Sequence, residues 1–423
     1  MYSHHSSMSN IFIRQPCFPK TKQMKMSSTI YLDHNATTPL DPEVALAMQP
    51  CLIDNCCFGN PTRAHWAGIP AKNAIQQAKL HVSHLINAST SEIVFTSGAS
   101  ESVNHAIKGV VFSYLPFSGK KEVVTSCIEH PSASASCQFL ANTLNIKISE
   151  IPVDEFGIID LEYAADVISE NTALVNIILA NHETGSIQPV KELIKIAHSH
   201  GVIVHVDATC AMGKLTVDVK DLDCDLLSFS AHKFYGPKGI GVLFIRESLH
   251  HGLPGVNPRP ELIPLIHGSA PSSAFRSGTP NLPFIIGMGK ACEIAHEWNS
   301  EINRNLLAEK TQLFWNLMTE TFGDNVILNG HSDPARRVCN TLNVSFAGTE
   351  GEQLLAKLDQ VAASSGAKTE YILNQLGKPA DIARGGIRFS LGKSTTTDQI
   401  TETVELIEQA LTKPNRQKIN KLS

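Results

Sequence analysis

The sequence predicts an α/β fold, with a large domain built on a mostly parallel seven-stranded type of sheet and a smaller C-terminal α+β domain. Three observations carry this. Short runs rich in Val, Ile and Leu alternate with helical segments, which is the pattern of parallel strands joined by crossover helices. Polar residues stand directly after five of those runs, at the strand ends where open α/β sheets bind ligands. One run, Leu226-Leu227-Ser228-Phe229, leads through Ser230-Ala231-His232-Lys233 to a turn at Gly236-Pro237.

Taken in order, the ordered chain begins at Thr29-Ile30-Tyr31-Leu32-Asp33-His34-Asn35, a short strand before a polar turn, and Pro42 opens a helix through Met48. Phe58-Gly59-Asn60-Pro61 is a turn cluster, and Ala71 to Leu85 has helical periodicity. Glu92-Ile93-Val94-Phe95-Thr96 reads as a buried strand that runs into Ser97-Gly98-Ala99-Ser100 and a helix over Val103 to Val111. Such a turn aims N–H groups and hydroxyls at one spot beside the positive end of a helix dipole, which suits a phosphate as well as it suits an ordinary cap.

Further strands follow at Glu122 to Cys127, Ile146 to Pro152, Ala173 to Ala180, Val202 to Asp207 and Leu226 to Phe229. Their ends carry His130, Asn181-His182-Glu183, Asp207 and Lys233, joining Ser97. The stretch from Lys238 to Pro283 is loop-rich, with Pro254, Pro258, Pro260, Pro264 and Pro271. One long helix is expected from about Phe284 to Phe322, with the domain boundary inside it. Beyond it, Val338 to Phe346, Val361 and Gly386 to Leu391 read as strands, and Gly351 to Leu358 and Thr397 to Leu411 as helices. The domain plan is a leader over 1–29, an N-terminal segment over 30–45 that joins the small domain, a large domain over 46–290 and a small one over 291–423.

Composition narrows the function. The chain has 423 residues, 42% of them hydrophobic, and a net charge of -5, which describes a protein with a large core and no electrostatic footprint for nucleic acid. No apolar run is long enough to span a membrane. Ten cysteines occur without Cys-x-x-Cys spacing, so they read as reduced core residues, and the histidines lack ligand spacing, so no metal is expected. Residues 1–29 carry Arg14, Lys20, Lys22 and Lys25 and no acid, the composition of a mitochondrial transit peptide or of a leader on a cytoplasmic protein. Cytoplasmic is the primary expectation and mitochondrial the alternative.

The strand-end residues fit one chemistry. Pyridoxal phosphate needs a lysine for its aldehyde, an acid at its pyridine nitrogen, a planar group against its ring and an anion-binding turn. Lys233, Asp207, His130 and the turn at 96–100 supply residues for all four.

Tyr-Leu-Asp-His-Asn-Ala-Thr-Thr-Pro at 31–39, Thr-Ser-Gly-Ala-Ser-Glu-Ser at 96–102, Ser-Ala-His-Lys-Phe-Tyr-Gly-Pro-Lys-Gly at 230–239 and Ile-Arg-Phe-Ser-Leu-Gly at 387–392 extend the pattern over nearly the whole chain. Here the sequence resembles the class V aminotransferase family of fold-type I pyridoxal-phosphate enzymes, in its cysteine desulfurase and selenocysteine lyase branch. The resemblance implies pyridoxal 5'-phosphate as cofactor, a small amino-acid substrate and a homodimer. It implies Lys233 as Schiff-base lysine, Asp207 at the pyridinium nitrogen and His130 stacked on the ring and handling protons. Ser97, Gly98, Ala99, Ser100, Ser230 and His232 would hold the phosphate, with Thr279 from the partner subunit. His182 and Cys210 would flank the cofactor, and Asn35, His182 and Arg388 would take the substrate, Arg388 by its carboxylate.

The resemblance fails in places. The family's persulfide cysteine belongs shortly after a Ser-Ser-Gly turn, yet Ser364-Ser365-Gly366 is followed by Ala367-Lys368-Thr369, with Thr369 at the counted position and no cysteine after Cys339. Cys210 stands where the family has Gln, His182 where it has Asn, and Ser269-Ala270-Pro271-Ser272 where it has Gly-Gly-Gln-Glu. Cleavage of a C–S or C–Se bond by elimination is therefore expected, with a non-catalytic pyridoxal-phosphate-binding scaffold as the alternative.

Overall fold

A computed structural model describes residues 29–53, 56–117, 119–254, 261–268 and 274–412. The leader before Thr29 and the Ser269–Ser272 segment lie outside the described residues.

The large sheet takes shape from runs that are apolar on both faces. After β1 (Ile30–Tyr31) come β2 (Ile93–Thr96), β3 (Glu122–Ser126), β4 (Lys147–Ile151), β5 (Thr172–Ile178), β6 (Ile203–Asp207), β7 (Leu226–Ser230) and β8 (Gly241–Ile245). Successive residues face opposite sides of a strand, so Val123/Val124, Leu174/Val175, Ile203/Val204 and Leu226/Leu227 each send one side chain into each of two cores. Every residue of β5, β6 and β7 is buried, as a sheet covered by helices on both faces requires. The sheet runs β2-β8-β7-β6-β5-β3-β4, parallel throughout except for β8, which is antiparallel to both β2 and β7.

β8 corrects the loop-rich expectation for 238–283. The prolines that suggested loops begin only at Pro254, and Gly241 to Ile245 is an apolar run that pairs along the full lengths of β2 and β7. Gly241 is obligatory there, because a Cβ on it would lie 2.5 Å from the carbonyl carbon of Gly98. That close approach seats the 97–100 turn on the sheet.

The single long helix is also corrected. Two helices, Leu282–Trp298 and Glu301–Phe322, are separated at Asn299 and Ser300, and the Ser300 hydroxyl accepts the Asn303 N–H to start the second. The first packs on the helices Pro42–Ile53 and Gly68–Ile86, the second on Thr397–Thr412.

The smaller sheet comprises β9 (Val326–Asn329), β10 (Thr341–Phe346), β12 (Ser364–Ser365) and β13 (Gly386–Ser390), antiparallel in the order β12-β13-β10-β9. β11 (Val361–Ala362) pairs in parallel with β1, so the N-terminal segment leans on the C-terminal one. From there Asn35 and Ala36 reach back to the end of β7.

One cysteine expectation changes. Cys51 and Cys57 form a disulfide, because the end of the helix Pro42–Ile53 folds back to bring their Cα atoms to 5.4 Å. The other described cysteines carry free thiols.

Candidate active site

A cavity of about 780 Å³ opens where the carboxyl ends of the large sheet face the small one. It collects Ser97, Gly98, Ala99, Ser100, His130, His182, Asp207, Cys210, Ser230, His232, Lys233, Asn35 and Arg388, all residues singled out in the sequence. Thr279 is the exception. It lines an adjoining recess instead, together with Arg276, Gly278 and Asn281.

Lys233 ends a short 3₁₀ turn, Ala231–Lys233, that leaves β7. Tyr235 follows at φ 67°, a left-handed conformation costly for a side chain of its size, and its backbone and ring are fixed by Asp41, Thr38 and Lys393. The Lys233 Nζ donates to the main-chain carbonyls of Asn35 and Ala36, the latter at 3.1 Å. Among the described residues no carboxylate pairs with it, so its amine is held by weak partners that a carbonyl group can replace.

The remaining wall follows from the strand ends. His130 caps the helix Pro131–Leu144, where its Nδ1 accepts the Ser132 N–H at 3.2 Å and lies 2.8 Å from the Ser132 hydroxyl. Burial depresses the His130 pKa, helped by Lys233 and Lys368 and opposed by Asp207, so the ring is neutral at pH 7. His182 meets it edge-on, with ring centroids 5.4 Å apart. Burial drives His182 well below the ordinary imidazole range, and its Nδ1 has no partner among the described residues. His232 is pushed down to about 4, chiefly by burial and then by Lys233, Lys238 and Lys214, and its Nδ1 lies 3.1 Å from the Thr37 hydroxyl. The Asp207 carboxylate is turned toward the cavity by the Thr209 N–H at 2.9 Å.

These residues fit pyridoxal phosphate. The donor set is complete in one cavity: an amine bound only to carbonyls, a carboxylate at a neighbouring strand end, an imidazole between them, and the first turn of the helix Ala99–Tyr114 beside two hydroxyls and a neutral His. The unpartnered His182 Nδ1 is a buried polar atom of the kind a bound polar group satisfies.

The opposite wall gathers Asp33, Glu183 and Ser364, for which the sequence suggested no role, around Arg388 and Thr369. Arg388, only 5% exposed, donates from Nη1 to Glu183 at 2.7 Å and to the His182 carbonyl at 2.9 Å, and from Nη2 to Asp33 at 2.8 Å and to Ser364 at 2.9 Å. Burial works against that charge, and Glu183 and Asp33 outweigh it. The fork expected to take a carboxylate is thus already filled by two. Thr369 is buried in the first turn of the helix Ala367–Gln375 and donates to Glu183 at 2.8 Å. β12 passes into that helix through Gly366 alone, so no loop lies between them. Asp33, Glu183 and Arg388 are separated by 150 residues or more, and only the register of β13 on β12 and β10 brings them together.

Comparison with known proteins agrees with this geometry. The model of the aminotransferase class-V family matches residues 30–402. A cysteine desulfurase IscS of Dictyoglomus turgidum is 39% identical, over 94% of this chain and 100% of its own. A probable mitochondrial cysteine desulfurase of Dictyostelium discoideum is 38% identical, over 90% of this chain and 82% of its own. Among solved structures, a NifS-like protein superposes with a TM-score of 0.80 at 34% identity, covering 90% of this chain and 99% of that one. The apo structure of a cysteine desulfurase from Thermococcus onnurineus NA1 gives 0.77 at 26% identity, covering 90% and 94%.

Proposed function

The chain belongs to the aminotransferase class-V family, as a pyridoxal-phosphate enzyme of cysteine desulfurase type, and from that premise we propose that it cleaves the C–S or C–Se bond of cysteine, selenocysteine or a related amino acid by elimination. The observation that carries the reading is the direct passage from β12 into the helix Ala367–Gln375. It leaves Thr369, and not a cysteine, at the place counted from Ser364-Ser365-Gly366, buried on Glu183.

Bound pyridoxal phosphate supplies an electron sink for the pair left when the substrate loses its α-proton. In this reading Lys233 anchors the cofactor and then, as a free amine, takes that proton. Asp207 keeps a positive charge on the ring nitrogen, and the turn at 97–100 with Ser230 and His232 binds the phosphate. His130, neutral at pH 7, packs on the ring and holds the proton exchanged at the leaving atom. Loss of the α-proton and of the β-substituent as sulfide or selenide leaves a dehydroamino acid, which water converts to pyruvate and ammonia. The reading includes a homodimer in which Thr279 serves the partner's phosphate site, supported by its place outside this chain's own cavity.

The test incubates the cofactor-loaded protein with L-cysteine, L-cystine and L-selenocysteine. Pyruvate and ammonia in equal amounts are expected, with sulfide from cysteine, selenide from selenocysteine and cysteine persulfide from cystine. Alanine as the main product would defeat elimination, and no turnover despite bound cofactor would leave the scaffold reading.

A further inference from the structure

Three cysteines at the end of the helix Pro42–Ile53 take no part in the cavity, yet they are gathered rather than dispersed. Cys51 stands in the last turn of that helix, and Cys56 and Cys57 follow in a turn. Their three sulfur atoms lie within 4.8 Å of one another. Those of Cys56 and Cys57 are 3.5 Å apart, although the side chains of neighbouring residues in extended chain diverge. Thiolates bind zinc at about 2.3 Å and so stand about 4 Å from each other around it. Once the bridge between Cys51 and Cys57 is opened, rotation of their side chains reaches that spacing.

The surroundings favour a cation. The helix brings the negative end of its dipole to Cys51, with no basic side chain in its last turn to neutralise it. The Pro50 carbonyl accepts the Cys56 thiol at 3.1 Å and orients it, as the outer partner of a metal ligand does. Cys56 is exposed and Cys57 buried, which gives the cluster an entrance and a floor. The Cys51–Cys57 bridge competes with this use, because it withdraws two of the three donors. It closes a short loop, with a sequence separation of 6, and so constrains the unfolded chain little. A third thiol 3.5 Å from one of its sulfurs also makes it open to exchange.

We propose that in the reduced chain Cys51, Cys56 and Cys57 form a three-thiolate site for a thiophilic divalent cation of the zinc type, and that the disulfide is its closed form. A dithiol opens the bridge: it supplies two electrons and two protons, the S–S bond becomes two thiols, and the dithiol leaves as its own disulfide. Binding then breaks three S–H bonds, forms three metal–sulfur bonds and releases three protons, with no change of oxidation state and the fourth position left to water. All-thiolate donors select Zn²⁺ or Cd²⁺ over the harder Mg²⁺ and Ca²⁺.

The test reduces the full cofactor-loaded chain with dithiothreitol, removes the reagent without oxygen, and dialyses the protein against Zn²⁺ or Cd²⁺. Native mass spectrometry counts the bound ions, and alkylation maps the cysteines they shield. The reduced wild type should hold one ion that shields Cys51, Cys56 and Cys57 together, and the oxidised wild type should hold none there. Cys56→Ser leaves the bridge and the buried Cys57 in place, so the fold is kept. It should weaken binding by about a hundredfold or more, since losing even an outer partner of a ligand costs about 10–100-fold. The Cd²⁺-loaded wild type should show a sulfur-to-metal charge-transfer band that is diminished in this variant. Absence of shielding at the three cysteines, equal binding by the oxidised chain, or undiminished affinity in Cys56→Ser would overturn the inference.

Discussion

The two walls of the cavity are built by different rules. The wall of Ser97, His130, Asp207 and Lys233 stands on the carboxyl ends of strands that are parallel to one another, buried on both faces and locked in register. Each residue leaves its strand at the same edge, and its position follows from topology. The wall of Asp33, Glu183, Ser364, Thr369 and Arg388 stands on β13 of the small sheet, a two-residue strand, a helix end and loops, and it is held together by its own charges. A change in chain length alters the second wall and does not reach the first: Ser97, His130, Asp207 and Lys233 share one cavity, while β12 passes into the helix Ala367–Gln375 through Gly366 alone.

The largest expected effect breaks the sheet wall at its chemical centre. Lys233→Ala removes the amine and leaves β7 untouched, because among the described residues the Lys233 amine bonds only to the Asn35 and Ala36 carbonyls. Borohydride reduction of the cofactor-loaded wild type, followed by mass spectrometry, should find the cofactor fixed to the peptide containing Lys233, and none fixed in the variant. Activity should fall by about a thousandfold or more. A variant that still traps cofactor at another lysine would remove Lys233 as the anchor.

A smaller effect tests what the sheet wall costs. Glu129, beside His130, is buried between β3 and β5, where it accepts from Ser126, Asn176 and the Ile178 N–H. Burial raises its pKa to about 8, with Asp207 adding to it and those hydrogen bonds opposing. The folded state therefore holds a proton that the unfolded chain releases near its ordinary value of 4.5. Its contribution to stability is full below that value and is lost as pH rises through about 8. Between pH 5 and 8 the loss is on the order of 3 kcal/mol. Glu129→Gln keeps the acceptor without the proton, so urea unfolding at the two pH values should show the slope in wild type and its absence in the variant.

What was legible in the sequence divides along the same line. Strand-end residues could be read because apolar runs announce a parallel sheet, and such a sheet sends its carboxyl ends to one edge. β8 was hidden by the prolines that follow it, and the break at Asn299 by the helical periodicity on both sides. The Glu183–Arg388–Asp33 cluster could not be read, since no local pattern links residues 150 or more apart. Glu183 stood beside His182 at a strand end, and a carboxylate at such a place was the signal available.

The smallest effect concerns Thr369, which the count from Ser364-Ser365-Gly366 places at the thiol position and the fold buries against Glu183. Its hydroxyl donates to Glu183 at 2.8 Å, while the other Glu183 oxygen holds Arg388 at 2.7 Å. Thr369→Val keeps the shape and removes one charge-assisted hydrogen bond, so Glu183 retains its main partner and the expected loss is about 1 kcal/mol of unfolding free energy. Turnover should stay within about twofold, since nothing in the elimination passes through this hydroxyl. Thr369→Cys should behave alike: its thiol would be buried against the Glu183 carboxylate, which raises a thiol pKa and suppresses the nucleophilic thiolate. Sulfur accumulating on that cysteine after incubation with L-cysteine, read by intact-protein mass, would show that the helix Ala367–Gln375 opens far enough to act as the missing loop.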